Sequence, residues 1–297
     1  MANSIATVSK YIPYLDQVYS YASRSAVLDT PDGLVRETAD AKSVLIAKTS
    51  MQGLGDYSRN NGFVDGDVTL TWETKTLEKD RGRSFSIDAM DDQETLGIAF
   101  GTLASEFIRT KVVPEVDAYR FDKYATNAGT TATGALTISN ATTAIDAGMV
   151  AMKEAEVDLT GAYLFVTPTV FDCVKNSSKW SRPLQTGADP NSNFGKYDEL
   201  TIIEVPQTRF YKGITLYNGS SSEAAGGYIK TASTGKDINF LIVSPSAVVQ
   251  VAKHAKLRVF DPDTNQKADA YKIDYRIYHD AWVLDNKVKG IYAHTKA

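Results

Sequence analysis

The longest amphipathic pattern in the chain lies between Asp91 and Gly129 and predicts a helix of unusual length. Asp91 followed three residues later by Glu94 has the form of a capping box, because each carboxylate can accept a free backbone N–H of the first turn. A helix of about 36 residues would extend about 50 Å, well beyond the average in globular proteins. Apolar residues recur along one face with a helical period at Leu96, Phe100, Leu103 and Phe107.

Two features inside this pattern are unfavourable in a helix interior. Pro114 lacks a backbone N–H and clashes with the preceding turn, so it predicts a kink or two abutting helices. Gly97 and Gly101, spaced four residues apart, each cost about 1 kcal/mol relative to alanine, which favours close packing of another backbone over an ordinary core helix. Asn127–Gly129 predicts the end of the helix. The apolar pattern continues around the proline at Val112, Val116 and Tyr119.

Ahead of the helix, two β-prone runs flank a polar stretch rich in glycine. Ser43–Ser50 is apolar, and Val68–Lys75 alternates apolar with polar residues at a period of two, as in a strand with one covered face. Turn residues lie between them at Asn60–Gly62 and at 65–66. The pattern therefore predicts a β-hairpin excursion. An isolated two-stranded hairpin is only marginally stable in water, so it needs a neighbour.

A second register for this hairpin is possible. It places the turn at Asp80–Gly82 instead. We favour the earlier turn and interpret residues 80–82 as a kink that leads into residues 84–88 and the long helix.

The pattern after the long helix alternates helix and strand. Gly129–Leu136 is a spacer of small residues and predicts a boundary between two domains. Asn140 is placed to cap a helix that runs to about Val157, and Tyr163–Val166 follows as a strand.

Two later stretches share the order strand, hydroxyl residue, proline and helix. They are residues 164–171 and 241–248, with the prolines at the first helical position. Between them, Ser177–Glu199 is a long loop, which in a compact domain is usually functional or mobile. From Lys256 onwards the pattern indicates two or three strands of an antiparallel sheet, the last near residues 290–296. One face of that sheet carries Tyr271, Ile273, Tyr275 and Ile277.

The length, charge and residue composition of the chain limit the classes of protein to which it can belong. A chain of 297 residues is long enough to bury a full core without disulfides. The formal net charge of −4 argues against a dedicated nucleic-acid binder, although a bulk charge does not describe each face. The single cysteine, Cys173, fits a reducing compartment and a small apolar role on a helix. No apolar run is long enough for a membrane span, and the N-terminus does not resemble a signal peptide.

A search for catalytic chemistry finds little. The chain has no phosphate-binding loop, dinucleotide fingerprint, zinc-protease motif or nucleophile elbow. The three histidines, His254, His279 and His294, are scattered and are expected in ordinary surface or rim roles rather than at a metal. Asp261–Asp263 and the charge cluster Lys79–Arg83 are interpreted as solvated turns, the latter with an intersubunit ion-pair site as the alternative. We therefore predict no catalytic residue, metal or cofactor.

Two stretches carry a resemblance to a known family. Residues 113–121 have the sequence VPEVDAYRF, and residues 81–92, before the long helix, have the sequence RGRSFSIDAMDD. Both are similar to stretches of the major capsid proteins of tailed bacteriophages, which have the Hong Kong ninety-seven-like fold. The order of elements extends the similarity over nearly the whole chain. These motifs indicate a structural family and carry no catalytic signature.

The resemblance implies an α+β phage capsid fold with four parts. Residues 1–40 would form an N-terminal arm, and residues 41–76 an extended β-hairpin loop that lies across the adjacent subunit. Residues 77–128 and 256–297 would form a peripheral domain with a long spine helix and an antiparallel sheet. Residues 129–255 would form an α/β axial domain around the local symmetry axes.

The resemblance also implies a function and partners. The protein would be a structural, non-enzymatic subunit that assembles with copies of itself into hexamers and pentamers of an icosahedral head. The head would enclose double-stranded DNA, contacted non-specifically, in a virion assembled in the cytoplasm of a host bacterium. A separate scaffolding protein, a portal and possible decoration proteins are expected, with no membrane. Candidate intersubunit contacts are Arg59, Asn61, Phe63, Trp72, Lys75, Arg81, Arg83, Gly97 and Gly101.

Two other functions compete with this interpretation. One is a small α/β enzyme with its site in the loop 177–199. The other is a non-viral encapsulating shell or surface-layer protein of related fold. Closed shells in electron micrographs would exclude the enzyme, and cargo other than DNA would favour the non-viral shell.

Overall fold

A computed structural model describes residues 23–30, 36–37, 43–60, 62–89, 104–177 and 195–297. Several features predicted above lie outside these ranges. They are most of the N-terminal arm, the capping box at Asp91, the glycine pair Gly97 and Gly101, and most of the loop 177–199.

The described regular elements comprise three α-helices and fifteen strands. The helices are α1 (Val113–Thr126), α2 (Ala141–Glu154) and α3 (Pro168–Lys175). In chain order the strands are β1 (Arg36–Glu37), β2 (Ser43–Met51), β3 (Val68–Thr76), β4 (Lys79–Asp88), β5 (Thr130–Thr133), β6 (Tyr163–Val166), β7 (Lys196–Tyr197), β8 (Leu200–Glu204), β9 (Tyr211–Lys212), β10 (Ile214–Leu216), β11 (Tyr228–Lys230), β12 (Lys236–Val243), β13 (Val248–Phe260), β14 (Ala270–Val283) and β15 (Ile291–Thr295).

The long helix contains the predicted irregularity at Pro114. Residues 104–107 are helical, Ile108–Val112 form a π turn, and α1 follows directly. Because proline cannot donate to the carbonyl four residues earlier, the helical hydrogen-bond pattern must change here, and a π turn is one way to change it. The helix ends where predicted, since Asn127 donates from both its backbone N and its Nδ2 to the carbonyl of Lys123.

The helix α1 packs on two different cores along its length. Its N-terminal half, with Val113 and Val116, lies against Ile273, Tyr275 and Ile277 of β14. Its C-terminal half packs in a second core, beneath a larger sheet, through Phe121, Tyr124 and Ala125. The helix therefore joins two of the sheets in the described chain, a three-stranded and a seven-stranded one.

The smaller of these sheets has the order β13–β14–β4 and is antiparallel. The kink predicted at residues 80–82 is wrong, and so is the solvated turn at Lys79–Arg83, because these residues belong to one unbroken strand, β4. Gly82 is needed inside that strand for close packing, since a Cβ there would lie 2.9 Å from the carbonyl oxygen of Tyr275. A glycine next to charged residues is typical of a turn, and only the partner strand shows its actual role.

The larger sheet has seven strands and is mixed. Its order is β5–β15–β12–β6–β8–β7, with β9 paired to β12. The prediction that the last strand joins the antiparallel sheet near the long helix is wrong, because β15 pairs antiparallel with β12 and parallel with β5. The spacer predicted at Gly129–Leu136 is likewise partly wrong, since it contains β5. The threonines of β5 pair along β15, and Gly129 packs closely on Val288.

The two stretches with a strand, a hydroxyl residue and a proline end differently. In the first, Thr167 Oγ1 accepts a hydrogen bond from Val170 N at 3.4 Å and α3 follows, as predicted. In the second, Pro245–Ala247 make only one 3₁₀ turn, and the chain continues as the 13-residue strand β13. The predicted helix there is wrong, because the β-branched run after Ala247 pairs along β14. The strand pattern consequently begins at Val248, eight residues before the predicted start.

The helix α2 is three residues shorter than predicted and ends at Glu154. Asn140 precedes it, but its Oδ1 accepts from the backbone N of Thr137 at 2.6 Å instead of capping the helix. In the described part of the chain, no helix is both long and apolar enough to cross a membrane.

The predicted hairpin is present. Strands β2 and β3 pair antiparallel from Ser43 opposite Thr76 to Met51 opposite Val68. At the tip, a bridge between Ser58 and Gly62 closes a tight turn, with Gly62 at a positive φ of 79°. Glycine reaches that conformation at no steric cost, which explains the turn at this position.

Candidate intersubunit surfaces

The β2–β3 hairpin carries an unusual number of exposed apolar side chains. Leu54 is fully exposed and Phe63 is 88% exposed. Large exposed apolar residues elsewhere in the described chain are few and scattered. Large contiguous apolar patches on a soluble subunit mark interaction sites, whereas scattered ones are normal. The exposed members on the hairpin are Met51, Leu54, Tyr57, Phe63, Val64, Val68, Leu70 and Trp72.

One face of this hairpin is apolar. Val68, Leu70 and Trp72 alternate along β3, so their side chains share a face, and Met51 lies directly opposite Val68. The other face carries threonines and charged residues along β3, with Val44 and Ile46 of β2 near the base. Strand alternation of this kind normally places the apolar face on a core. Here the apolar face is exposed to solvent.

The tip of the hairpin carries two aromatic rings in contact with each other. The rings of Tyr57 and Phe63 have centroids 4.9 Å apart at an angle of 59°. Ser58 and Gly62, which lie between Tyr57 and Phe63 in the chain, exchange two backbone hydrogen bonds of 3.1 and 2.7 Å. The turn therefore holds the two rings together before any partner binds.

The base of the hairpin is fixed to the body. Val44 is fully buried. Lys48 Nζ lies 3.1 Å from Asp285 Oδ2, and Lys253 Nζ donates to the carbonyl of Ser43 at 2.7 Å. After β3, the carbonyl of Leu77 accepts from the hydroxyl of Tyr278 at 2.7 Å. The hairpin therefore projects from an anchored base.

The structure brings three of the sequence-predicted contact residues together on this hairpin. Arg59, Phe63 and Trp72 are all exposed there. Lys75 is half-buried near the base, in an ion pair with Glu73. Asn61, Gly97 and Gly101 lie outside the described residues.

Arg81 and Arg83 have partners within the subunit. Arg81 Nε donates to Glu115 Oε1 at 2.6 Å, and its Nη1 donates to the carbonyl of Tyr217 at 2.7 Å. Arg83 Nη2 donates to the carbonyl of Ala224 at 3.0 Å. These contacts join β4 to the β10–β11 hairpin. The Arg81 guanidinium is therefore bound within the subunit, whereas the Arg83 side chain remains exposed. No pattern in the sequence indicates these carbonyl partners.

A buried carboxylate that sequence reasoning missed anchors residues 23–30. Asp117 is fully buried in α1, and its Oδ1 accepts from the hydroxyls of Ser23 and Ser25 at 2.6 and 2.7 Å. Its Oδ2 accepts from the backbone N of Arg24 and lies 3.3 Å from Arg209 Nη1. An acid inside the apolar pattern around Val116 and Tyr119 was the available signal. Residues 23–25 of the arm are therefore held on the body.

His279 and His294 do not occupy the surface or rim roles expected for the histidines. His279 is 2% exposed and packs edge-on against the ring of Tyr119. Asp280 Oδ1 accepts from the hydroxyl of Tyr119 at 2.7 Å, and its Oδ2 accepts from the backbone N of Glu78. His294 is also buried, with Nδ1 3.1 Å from the amide of Asn239. Within the described ranges, no cluster of three or more His, Cys, Asp or Glu side chains could hold a metal ion.

The buried state of His279 predicts an acid-sensitive subunit. Desolvation, reinforced by the positive charges of Arg120, Arg81 and Lys79, lowers the pKa of His279 to about 3. The unfolded chain binds this proton near pH 6.5, so stability falls as the pH drops below 6.5 towards 3, by about 2 kcal/mol at pH 5. We expect His279→Phe, which keeps a ring against Tyr119, to remove that part of the pH dependence. Urea unfolding of both proteins at pH 7.5 and pH 5 measures the loss of unfolding free energy between the two pH values. An equal loss in the two proteins would contradict the assignment to His279.

Comparison with known proteins supports the fold through structure alone. No protein-family model matches the sequence, and no curated protein matches it. Among solved structures, the capsid of the cyanophage P-SCSP1u is similar over 91% of this chain and 86% of that chain, with 14% identity and a TM-score of 0.58. The capsid of an empty GTA particle is similar over 93% and 90%, with 14% identity and a TM-score of 0.56. A virus-like particle from Pyrococcus furiosus is similar over 96% and 99%, with 10% identity and a TM-score of 0.50.

These structures share the mixed helix and sheet architecture along nearly their whole lengths. This structural likeness is in accord with the resemblance carried by residues 81–92 and 113–121. The chain therefore has the α+β fold of the phage major capsid proteins, the Hong Kong ninety-seven-like fold, as its sequence resemblance implied.

Proposed function

We propose that this protein is the major capsid protein of a tailed bacteriophage, which self-assembles into hexamers and pentamers of an icosahedral head. The observation that carries the proposal is the apolar face of the β2–β3 hairpin, left uncovered on a subunit with a capsid fold. Burying it in water-excluding contacts with a second copy would contribute about 25 cal/mol per Å² of apolar surface. The role is mechanical, and we propose no catalytic residue, metal or cofactor for it.

The proposed mechanism divides the subunit into two bodies. The sheet β13–β14–β4, with the N-terminal half of the long helix, would form the peripheral body. The seven-stranded sheet, including β15, would form the axial body around the symmetry axes. Compared with the division inferred from sequence, this moves residues 291–295 to the axial body and assigns all of β13 to the peripheral sheet. The arm and the hairpin would bind neighbouring copies.

The proposed partners follow from the same role. The shell would enclose double-stranded DNA through contacts that do not depend on sequence. A separate scaffolding protein, a portal and possible decoration proteins would act with it, and assembly would take place in the cytoplasm of the host bacterium. The product is a virion component.

A second candidate function is a non-viral encapsulating shell. The specific observation in its favour is the likeness to the virus-like particle from Pyrococcus furiosus, which spans 99% of that chain. Both candidates assemble closed shells, and they differ in the contents. The likeness to the cyanophage capsid has the higher TM-score, and we therefore place the phage function first.

Expression with and without a candidate scaffolding protein tests the proposal. We expect negative-stain micrographs and size-exclusion profiles to show capsomers or closed shells rather than a 32.4 kDa monomer. Nuclease-resistant double-stranded DNA inside particles recovered from infected cells would support the phage head, and enzyme cargo without DNA would support the non-viral shell. A monomer in every condition would refute both.

A further inference from the structure

A large groove opens between β4, the π turn before α1 and the β10–β11 hairpin. Its volume is about 960 Å³. That volume is at the upper end of the range for pockets that take a drug-sized ligand. Its walls combine aromatic rings with cationic groups, including Arg83, Phe85, Lys111, Tyr217, Tyr228 and Tyr275.

The groove has an excess of positive charge. Five cationic and two acidic side chains line it, and several of the cations are neutralised within the chain. Arg81 pairs with Glu115, Arg209 with Asp117, and Lys230 with Asp237. Among the described residues, Lys111 and Arg83 have no ion-pair partner, and both side chains are exposed. A bound group would therefore gain from carrying negative charge there.

The tip of the β2–β3 hairpin has the complementary properties. Residues 52–67 contain three aspartates and one arginine, a net charge of −2. The aspartates Asp56, Asp65 and Asp67 are exposed. The same segment carries the ordered ring pair Tyr57 and Phe63. Rigid aromatic side chains are the residues that most often dominate binding energy, and a preformed turn lowers the entropy lost on binding.

We propose that the tip of the hairpin of one copy, residues 54–65, inserts into this groove on a second copy. The rings of Tyr57 and Phe63 pack among the groove tyrosines, and the tip aspartates face Lys111 and Arg83. This inference rests on the proposed function, because it names the surface that receives the hairpin in the shell.

The hairpin of the same chain does not fill the groove. In one subunit the tip remains exposed while the groove is open, with Leu54 and Phe63 in solvent. Folding the hairpin back would break the anchors at its base, the ion pair of Lys48 with Asp285 and the bond from Lys253 to Ser43. A second copy can bring its tip to the groove without that cost.

Charge reversal on each side tests the contact. We expect Lys111→Glu to lower the assembled fraction about tenfold, because two like charges would then meet in the interface. The tip variant Asp56→Lys with Asp65→Lys should lower it similarly. Combining both sets of changes should restore assembly to within about threefold of the unmodified protein, as expected for residues that interact directly.

Controls make each result decisive. Lys236→Glu makes the same charge change at an exposed lysine outside the groove and should assemble normally. The tip variant lies away from every core cluster, so it tests the contact even where Lys111→Glu fails to fold. Normal shells from Lys111→Glu, or no restoration in the combined variant, would overturn the inference and leave the proposed function intact. Failure of the unmodified protein to assemble would overturn both.

Chemical cross-linking of carboxylates to lysines identifies directly which segment fills the groove. Particles assembled from a mixture of isotopically light and heavy subunits are treated with a zero-length coupling reagent and digested. We expect Lys111 to be joined to Asp56, Asp65 or Asp67 in mixed light and heavy peptide pairs. Coupling of Lys111 only to carboxylates of its own chain would show that the groove is filled from within the subunit and would overturn the inference.

Discussion

Replacing Gly53–Asp67 by an Asn-Gly turn is expected to abolish assembly and leave the subunit folded. The removed segment makes its own bridge and ring contact, and its apolar side chains are exposed. We therefore expect the free energy of unfolding to change by less than about 1 kcal/mol, as for other surface changes. Together with Gln52, Asn-Gly makes a three-residue hairpin loop that ends on glycine, a common type that preserves the pairing of Met51 with Val68. Urea unfolding and electron microscopy measure the two effects.

A matched pair of point variants separates loss of apolar contact from shortening of the chain. Leu70 on the hairpin and Val150 on α2 are both 57% exposed. Leu70→Ser should impair assembly, whereas Val150→Ser should not, because only the first lies on the uncovered face. An unfolded deletion variant would show that the segment belongs to the core, and equal effects of the two point variants would remove the hairpin from the interface.

The largest expected loss of stability comes from Asp117→Ala. The fully buried carboxylate accepts four hydrogen bonds from residues 23–25 and pairs with Arg209. Its removal leaves those buried donors and a partly buried cation without their acceptor, which costs about 3–5 kcal/mol. Urea unfolding of the purified subunit measures the loss.

Asp172→Ala is the control for this variant. Asp172 lies on α3 with an exposed carboxylate that accepts from Asn176, and its loss should cost less than about 0.5 kcal/mol. Because Asp117 also holds residues 23–25 of the N-terminal arm, we expect Asp117→Ala to assemble poorly even where it remains folded. A loss below about 1 kcal/mol would mean that the buried network contributes little.

Local patterns predicted the elements whose signals lie in their own residues. The hairpin turn, the strands β2 and β3, the irregularity at Pro114 and the end of the long helix at Asn127 were each predicted from short-range chemistry. The alternation in residues 68–75 indicated a strand with one covered face, whereas Val68, Leu70 and Trp72 are exposed on the subunit. Only the need for a neighbour followed from the sequence, because an isolated hairpin is marginally stable.

The elements decided by distant partners were not predicted. Residues 79–88 contain a glycine among charges, and only pairing with β14 makes them a strand. The last strand, β15, joins the larger sheet because β5 and β12 lie on either side of it. The chemistry of the groove was equally hidden, since Lys111 and Tyr228 are 117 positions apart in sequence and meet only in the fold.

Hydrogen exchange of the hairpin amides tests the central claim most directly. Residues 51–60 and 62–68 lie largely exposed on one subunit, and we propose that a second copy covers them in the shell. Deuterium uptake of this segment should be fast in the dissociated subunit, because its few hydrogen-bonded amides lie in an exposed turn, and strongly slowed in assembled particles. Slow exchange already present in the isolated subunit, unchanged by assembly, would contradict it.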